Sequence, residues 1–151
     1  MQARIRRATT IDAQEIYEIE HNSFSDPWSL QNIKNDITNP VSCYFVASIN
    51  ANIVGYIGLW NVVGEGQITN LAVSKEYQRQ GIANELVSAV VEYSINQQME
   101  FILLEVRASN EAAQSLYKRF EFTQIATRVN YYTLPKEDAI IMKLEVKSEG
   151  V

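Results

Sequence analysis

The chain has 151 residues, which is enough for one domain with a core of its own. Hydrophobic residues make up 46% of it and charged residues 21%, a composition that excludes collagen, coiled coil and a wholly disordered chain. The formal net charge of −5 argues against broad electrostatic binding to nucleic acid and favours a small cationic or amine-bearing partner.

The hydrophobic period changes repeatedly along the chain, and each change predicts a new element. In order, the patterns predict a strand at 3–8, a helix at 11–24, a short helix from Ser29 to about Asn39, strands at 42–49, 53–63 and 67–73, a helix at 81–95, a strand at 101–106, a helix at 110–120, and strands at 122–133 and 139–145. Turns are predicted at 50–52, 64–66 and 134–138.

Helix starts carry local signals. Thr10 and Asp12 are both candidate N-caps, and Asp12 with Glu15 has the spacing of a capping box. Ser29 is placed to cap the second helix. The apolar run 101–106 is typical of a strand covered on both faces. The result is one α+β domain over residues 1–146, with 147–151 expected to form a flexible tail.

One cysteine and one histidine limit the available chemistry. Cys43 and His21 cannot supply a tetrahedral zinc site of the usual type, so we expect no metal. Cys43 lies in an apolar stretch and is expected to be a small buried hydrophobe. We find no signal-peptide pattern and no run near the ~18 apolar residues of a membrane span, which predicts a cytoplasmic protein with no membrane partner.

The most informative segment joins the strand at 71–73 to the helix that begins at Gly81. Free backbone N–H groups and the positive end of the helix dipole make such a helix start suitable for an anion. Gly81 lets the backbone approach a phosphate closely, and Arg79 can add charge. A pyrophosphate site over 79–84 is one interpretation; an ordinary loop-to-helix junction is the other.

Three residues further along are candidates for chemistry or ligand contact. Glu105 ends an apolar strand, where a carboxylate suits a general base, although it can equally pair with Arg107 or Arg128. The phenol of Tyr117 can donate a proton to a leaving thiolate, or Tyr117 can be a core aromatic. Asn110 can cap its helix or contact a ligand.

These segments resemble the GNAT superfamily of acetyl-CoA-dependent N-acetyltransferases, and more narrowly the bacterial ribosomal-protein-alanine N-acetyltransferases. The motifs that carry the resemblance are Gln78-Arg79-Gln80-Gly81-Ile82-Ala83, Pro27-Trp28-Ser29, Leu104-Glu105-Val106-Arg107-Ala108-Ser109-Asn110, Asn130-Tyr131-Tyr132 and Glu137-Asp138-Ala139-Ile140-Ile141-Met142. The resemblance implies a mostly antiparallel central sheet, a strand pair splayed by a bulge at 71–73, and about four flanking helices.

The resemblance also implies site residues. Glu105 becomes the proton acceptor and Tyr117 the proton donor. Acetyl-CoA contacts fall on Leu71, Ala72, Val73, Arg79, Gln80, Gly81, Ile82, Ala83, Asn84, Asn110 and Tyr117. Trp28, Tyr131 and Tyr132 are candidate walls of a peptide groove, with packing as the alternative for each. One departure is Glu121, which stands where the family usually has a helix-ending glycine.

The implied function is acetyl transfer to the N-terminal α-amine of a protein, with the N-terminal alanine of a small-subunit ribosomal protein as the expected substrate. A GNAT acting on lysine side chains or on a small amine is a second interpretation, and a non-catalytic CoA-binding module is a third. The pair Glu105 and Tyr117 favours an enzyme, because binding alone needs neither residue. The sequence leaves the oligomeric state open.

Overall fold

A computed structural model describes residues 2–146, and the expected tail at 147–151 lies outside the described residues. Seven strands and four α-helices follow one another in the order β1 (Arg4–Arg7), α1 (Ala13–Ser23), α2 (Leu30–Ile37), β2 (Ser42–Ile49), β3 (Asn52–Val62), β4 (Glu65–Val73), α3 (Ile82–Asn96), β5 (Phe101–Arg107), α4 (Glu111–Arg119), β6 (Thr123–Thr133) and β7 (Lys136–Glu145). Two 3₁₀ turns, Thr10–Asp12 and Lys75–Tyr77, precede α1 and follow β4.

The strands form one sheet in the order β1-β2-β3-β4-β5-β7-β6, and every pair is antiparallel except β4–β5. The β4–β5 pairing runs only from Glu65–Phe101 to Gln67–Leu103, after which the strands separate. A bulge at Thr69 lies beside the point of separation, since Gly58 pairs with Asn70 but Leu59 with Ile68. The expected fold class is therefore confirmed, while the bulge lies earlier than the predicted 71–73.

The two faces of the sheet are covered unequally. Helix α3 packs on β1–β4 and encloses the larger core with α4, whereas α1 packs on β3 and β4 and α2 on β2. On the α1 face, no helix among residues 2–146 packs extensively against β5 or β7. Ile102, Leu104 and Val106 lie on the α3 face and are buried in the larger core. The alternate residues of β5 lie on the α1 face and are only half-buried. The prediction of a strand covered on both faces was wrong, although its position is confirmed.

Local signals set the helix starts only where no tertiary contact competes. Ser29 caps α2 by accepting a hydrogen bond from the Asn32 N–H at 3.1 Å, as predicted. The Asp12–Glu15 capping box does not form. Asp12 instead accepts from the Thr9 N–H at 2.9 Å and pairs with Arg6 at 2.8 Å, while Glu15 accepts from the Ile53 N–H at 2.8 Å.

All three predicted turns are shorter than expected. The turn between β3 and β4 is Val63-Gly64, because Glu65 and Gly66 belong to β4, and the turn between β6 and β7 is Leu134-Pro135, because 136–138 belong to β7. Gly66 is needed within the strand, since a Cβ there would lie 2.6 Å from the Met99 methyl carbon and 2.9 Å from the Phe101 carbonyl oxygen. The turn between β2 and β3 is Asn50-Ala51, both at positive φ, because Asn52 belongs to β3.

Glu121 occupies the left-handed position that ends α4, with φ of 72°. The Glu121 N–H bonds to the Lys118 carbonyl at 2.9 Å and the Phe122 N–H to the Tyr117 carbonyl at 3.1 Å, which is the Schellman pattern. The rings of Tyr117 and Phe122 also pack at a centroid distance of 5.4 Å. Helix α4 therefore ends in the way that a glycine usually ends a helix, but the residue in the strained left-handed position is Glu121.

We expect Glu121→Gly to raise the free energy of unfolding. The left-handed conformation costs a residue with a Cβ about 1–2 kcal/mol, and the greater freedom of glycine in the unfolded chain offsets roughly 0.5–1 kcal/mol of that gain. The net gain is about 0.5–1 kcal/mol, measured by urea denaturation. Glu121→Ala is the control, because alanine keeps the Cβ, and an equal gain in both variants would contradict backbone strain as the cause.

Candidate active site

The gap between β4 and β5 exposes a free backbone edge at the predicted coenzyme segment, Leu71 to Val73. These residues still pair with β3, but their other side faces no strand. The Ser74 N–H bonds to the Val54 carbonyl at 2.8 Å, so the alternation of the ladder directs the backbone groups of Leu71 and Val73 into the gap. An extended ligand can pair with this edge as an added strand would.

The loop that follows β4 holds a row of free hydrogen-bond donors. Arg79 and Gly81 both have positive φ, 64° and 84°, and the first helical bond of α3 runs from the Glu85 N–H to the Gly81 carbonyl. The N–H groups of residues 79–84 have no acceptor among residues 2–146. Together with the helix dipole they form a site for an anion.

Space for a ligand lies directly against this loop. A Cβ built on Gly81 meets no atom within 4 Å, whereas the side chain of Ile82 is buried and anchors the first turn of α3. The Gln78 side-chain amide donates to the Val73 carbonyl at 3.0 Å and ties the loop to the end of β4. The predicted segment 79–84 thus combines an open outer side with a fixed inner one.

Glu105 lies on β5 beyond the point where β4 separates, on the half-buried face with Phe101 and Leu103. Its predicted position is confirmed, and it forms no ion pair within residues 2–146. Arg107 instead pairs with Glu137 at 3.3 Å. Arg128 lies over the Tyr131 ring, at 5.6 Å from its centroid. The alternative in which an arginine pairs with Glu105 is therefore not observed.

The charge of this carboxylate acts on two tyrosines, Tyr131 and Tyr132, and Tyr132 in turn acts on Tyr117. Hydrogen bonding to Glu105, then burial, raises the pKa of Tyr131. Burial, followed by the charge of Glu105, raises the pKa of Tyr132 to about 12. Burial, followed by the influence of Tyr132, raises the pKa of Tyr117. Tyr132 thus lies within electrostatic range of both Glu105 and Tyr117.

The Tyr117 ring belongs to the larger core and is only 5% exposed, as its structural alternative expected. No residue in the described part of the chain accepts a hydrogen bond from its hydroxyl. Burial raises the pKa of Tyr117 above its ordinary value. The hydroxyl therefore keeps its proton at neutral pH and remains a donor.

The other predicted site residues divide between packing and exposure. Asn110 caps α4 by accepting from the Ala113 N–H at 3.1 Å, which confirms its structural interpretation. Trp28 is half-buried and packs on Trp60 at a ring-centroid distance of 6.5 Å. Tyr131 is largely exposed. Cys43 is buried as expected, and burial raises the pKa of its thiol.

Sequence reasoning missed how two loops meet above this face. Ser25, in the α1–α2 loop, donates a hydrogen bond to the Leu134 carbonyl in the β6–β7 turn. Arg107 donates to the Leu134 and Pro135 carbonyls, both at 3.0 Å, and its guanidinium lies 4.1 Å from the Tyr132 ring centroid. We call the Ser25–Leu134 contact the loop bridge. No local pattern announces it, because the two residues lie far apart in sequence.

A buried carboxylate was also missed, although the sequence held a signal for it. Glu20 lies on the apolar stripe of α1, four residues after Ile16 and next to Ile19, and all three are buried. A charged residue on such a stripe calls for hydrogen-bond partners inside the protein. Glu20 accepts hydrogen bonds from three other segments of the chain.

The described residues form neither a metal-binding cluster nor a membrane-spanning helix. Within residues 2–146, His, Cys, Asp and Glu side chains form no group of three that could hold a metal ion. In the same part of the chain, no helix has the length and apolar character that crossing a membrane requires.

Comparison with known proteins identifies the family to which this fold and site belong. The acetyltransferase (GNAT) family model matches residues 13–122. A Bacillus subtilis (strain 168) protein, named provisionally as a ribosomal protein bS18-alanine N-acetyltransferase, is 38% identical over 141 residues, which cover 93% of this chain and 93% of that protein. The ribosomal protein bS18-alanine N-acetyltransferase of Escherichia coli (strain K12) is 34% identical over 141 residues, covering 91% and 93%.

The fold agrees with these similarities. The crystal structure of the ribosomal-protein-S18-alanine N-acetyltransferase from Escherichia coli matches with a TM-score of 0.90 at 31% identity, covering 99% of this chain and 98% of that one. Similarity over nearly the whole chain thus accompanies the β4–β5 gap, the loop with free N–H donors and Glu105. The expected enzyme class, an N-acetyltransferase, is confirmed. The chain belongs to the acetyltransferase (GNAT) family.

Proposed function

We propose that the protein transfers an acetyl group from acetyl-CoA to the N-terminal α-amine of a protein, and that the N-terminal alanine of ribosomal protein bS18 is its substrate. The names of the two bacterial relatives support this substrate. A ribosomal substrate would place the activity in the cytoplasm. The single observation that carries the choice of an α-amine is the loop bridge.

The loop bridge favours the end of a chain over its middle. It joins the α1–α2 loop to the β6–β7 turn, next to the half-buried face of β5 that carries Glu105. We infer from this contact that an acceptor enters end-on rather than lying across the site. Phe24, Tyr131 and Leu134 are exposed apolar residues around it, a rim suited to a peptide.

Acid–base chemistry favours the same acceptor. An α-amine has a pKa of about 7.7–8.0, against about 10.4 for lysine, so neutralising lysine costs about 3 kcal/mol more. A single carboxylate is a more adequate base for the amine that loses its proton easily. Glu105 forms no ion pair in the part of the chain described, which leaves its oxygens available for that proton.

The residues of the gap fit acetyl-CoA, which supplies an acetyl thioester as the acyl donor. The N–H groups of 79–84 would hold its diphosphate, and the free edge of 71–73 would pair with its pantetheine arm. Asn110 and Tyr117 would complete the contacts from α4. The open space beside Gly81 supports this assignment.

In this arrangement each catalytic residue handles one proton. Glu105 accepts the proton of the acceptor amine, directly or through water, as its nitrogen attacks the acetyl carbon. Tyr131 lies close enough to the Glu105 carboxylate for it to raise the pKa of the Tyr131 hydroxyl, and we infer that Tyr131 helps to orient Glu105. Tyr117 gives its proton to the departing sulfur, and exchange with solvent restores both residues. The protein forms no covalent bond to the acetyl group, and alignment of the two substrates supplies much of the rate.

The proposal is tested with acetyl-CoA and two versions of one peptide, the first residues of bS18 with an internal lysine added. One version has a free N-terminal alanine and the other a formylated one. We expect mass spectrometry to find the acetyl group on the α-nitrogen of the free peptide and none on the blocked peptide. Acetylation of the lysine alone would favour a lysine acetyltransferase, and binding of CoA without transfer a non-catalytic module.

Glu105→Gln should lower kcat by roughly 10²–10⁴-fold, the usual contribution of a positioned general base. The amide keeps the shape of the side chain but cannot take up the proton, so the affinity for acetyl-CoA should remain unchanged in calorimetry. Glu145→Gln, on the exposed end of β7, is the matched control and should retain full activity. Wild-type turnover in Glu105→Gln would remove Glu105 from the base role.

Tyr117→Phe should slow the acetyl-transfer step in single-turnover kinetics by about 10²-fold. Burial raises the pKa of Tyr117, so its proton is retained as the pH rises. For the wild type, kcat/KM should therefore increase through the pKa of the substrate α-amine, about 7.7–8.0, and show no alkaline decline up to about pH 10. Tyr93→Phe in α3 serves as the control, and an unaltered step in Tyr117→Phe would make Tyr117 purely structural.

A further inference from the structure

Glu20 is a carboxylate 2% exposed in the helix α1, and its hydrogen bonds reach three separate segments. Its Oε1 accepts from the Tyr56 hydroxyl and, at 2.9 Å, from the Asn70 amide. Its Oε2 accepts from the backbone N–H of Trp28 at 2.8 Å. No lysine or arginine among residues 2–146 forms an ion pair with it.

The three donors belong to segments with different tasks. Tyr56 lies in β3 beneath α1. Asn70 lies in β4 between the bulge residue Thr69 and Leu71, where the gap begins. Trp28 lies at the end of the α1–α2 loop, three residues after the loop-bridge residue Ser25. One carboxylate therefore connects the strand of the gap to the loop that borders the acceptor side.

Core stability alone gives no reason for a charge here. Glu20 lies on the stripe of Ile16 and Ile19, facing a cluster that includes Tyr44, Val46 and Ala72. An apolar side chain of similar volume, with apolar neighbours, often serves such a site as well as or better than a buried charge. What only an acceptor can do here is fix the Trp28 N–H, a backbone group at the end of the α1–α2 loop.

Asp36 shows the contrast. It is the corresponding buried carboxylate of α2, and it accepts from the side chains of Ser42, Tyr44 and Trp60. All three of these donors lie in β2 and β3, so Asp36 fastens a helix to the sheet. Glu20 alone of the two accepts from the backbone of a loop at the acceptor side.

Resting on the proposed function, we propose that Glu20 is a positioning residue for the acceptor. It fixes the Trp28 end of the α1–α2 loop against β4 and thereby sets the position of the peptide groove relative to the gap. Glu20 does not touch the reacting atoms. Its loss should weaken binding of the acceptor peptide while leaving acetyl-CoA binding and the chemical step in place.

The test uses Glu20→Met and Glu20→Gln in the full chain. Methionine fills a similar volume and accepts no such hydrogen bond, so we expect the KM for the peptide to rise about tenfold, the size expected for losing one hydrogen bond to a charged group. Glutamine keeps one oxygen for the Trp28 N–H and should restore part of the loss. The KM for acetyl-CoA and kcat at saturating peptide should be unchanged.

Tyr56→Phe is the matched control, because it removes a donor to the same carboxylate and leaves the loop contact. We expect it to lower thermal stability without changing the peptide KM. Hydrogen exchange provides a second measurement, and the Trp28 amide should exchange faster in Glu20→Met than in Tyr56→Phe. Equal peptide KM values in Glu20→Met and the wild type, or an equal rise in Tyr56→Phe, would overturn the inference.

Two other outcomes concern the folding of Glu20→Met and the identity of the acceptor. If Glu20→Met does not fold, Glu20→Gln carries the test, and an unchanged peptide KM with unchanged exchange at Trp28 overturns the positioning role. If the wild type acetylates a lysine rather than the α-amine, the proposed function fails, and the effect of Glu20 is read from the KM of that acceptor instead.

Discussion

The separation of β4 from β5 is the constraint on which the rest of the structure depends. Two parallel neighbours that pair over only three residue positions leave the ends of both strands with unused backbone groups. The bulge at Thr69 lies where the separation begins, and bulges commonly end pairing and increase the local twist. A closed sheet would pair this edge, whereas the separated strands leave it open to a ligand.

Coverage of the sheet assigns a different role to each face. On one face α3 and α4 enclose the larger core, and the donor row of 79–84 begins where α3 begins. On the other face α1 and α2 stop short of β5, which leaves Glu105 half-buried but reachable. A half-buried carboxylate commonly forms an ion pair with the nearest arginine or lysine. Arg107 is already held by Glu137 and by the Leu134 and Pro135 carbonyls, so the geometry of the β6–β7 turn keeps Glu105 free.

Local signals in the sequence predicted the order and type of the elements well. Spacing located the helix start at Gly81 and the place of Glu105 on its strand, whereas their roles came from the family resemblance. Glu121 was noticed as a departure from the family pattern, and it does occupy the left-handed cap. Contacts between distant residues were not predictable. Glu15 accepts a hydrogen bond from the Ile53 N–H instead of forming the expected capping box. Ser25 donates a hydrogen bond to the carbonyl of Leu134, which lies more than a hundred residues away in the sequence.

The two sides of the site therefore depend on the sequence in different ways. Donors at 79–84 are backbone groups, so their chemistry survives most side-chain changes and requires mainly the conformation at Arg79 and Gly81. The acceptor side relies on side chains that reach across the fold, namely Glu20 to Trp28, Ser25 to Leu134 and Arg107 to the β6–β7 turn. A single substitution on that side can move a loop without affecting coenzyme binding. Within one such fold, acceptor preference can therefore change while the acyl donor stays the same.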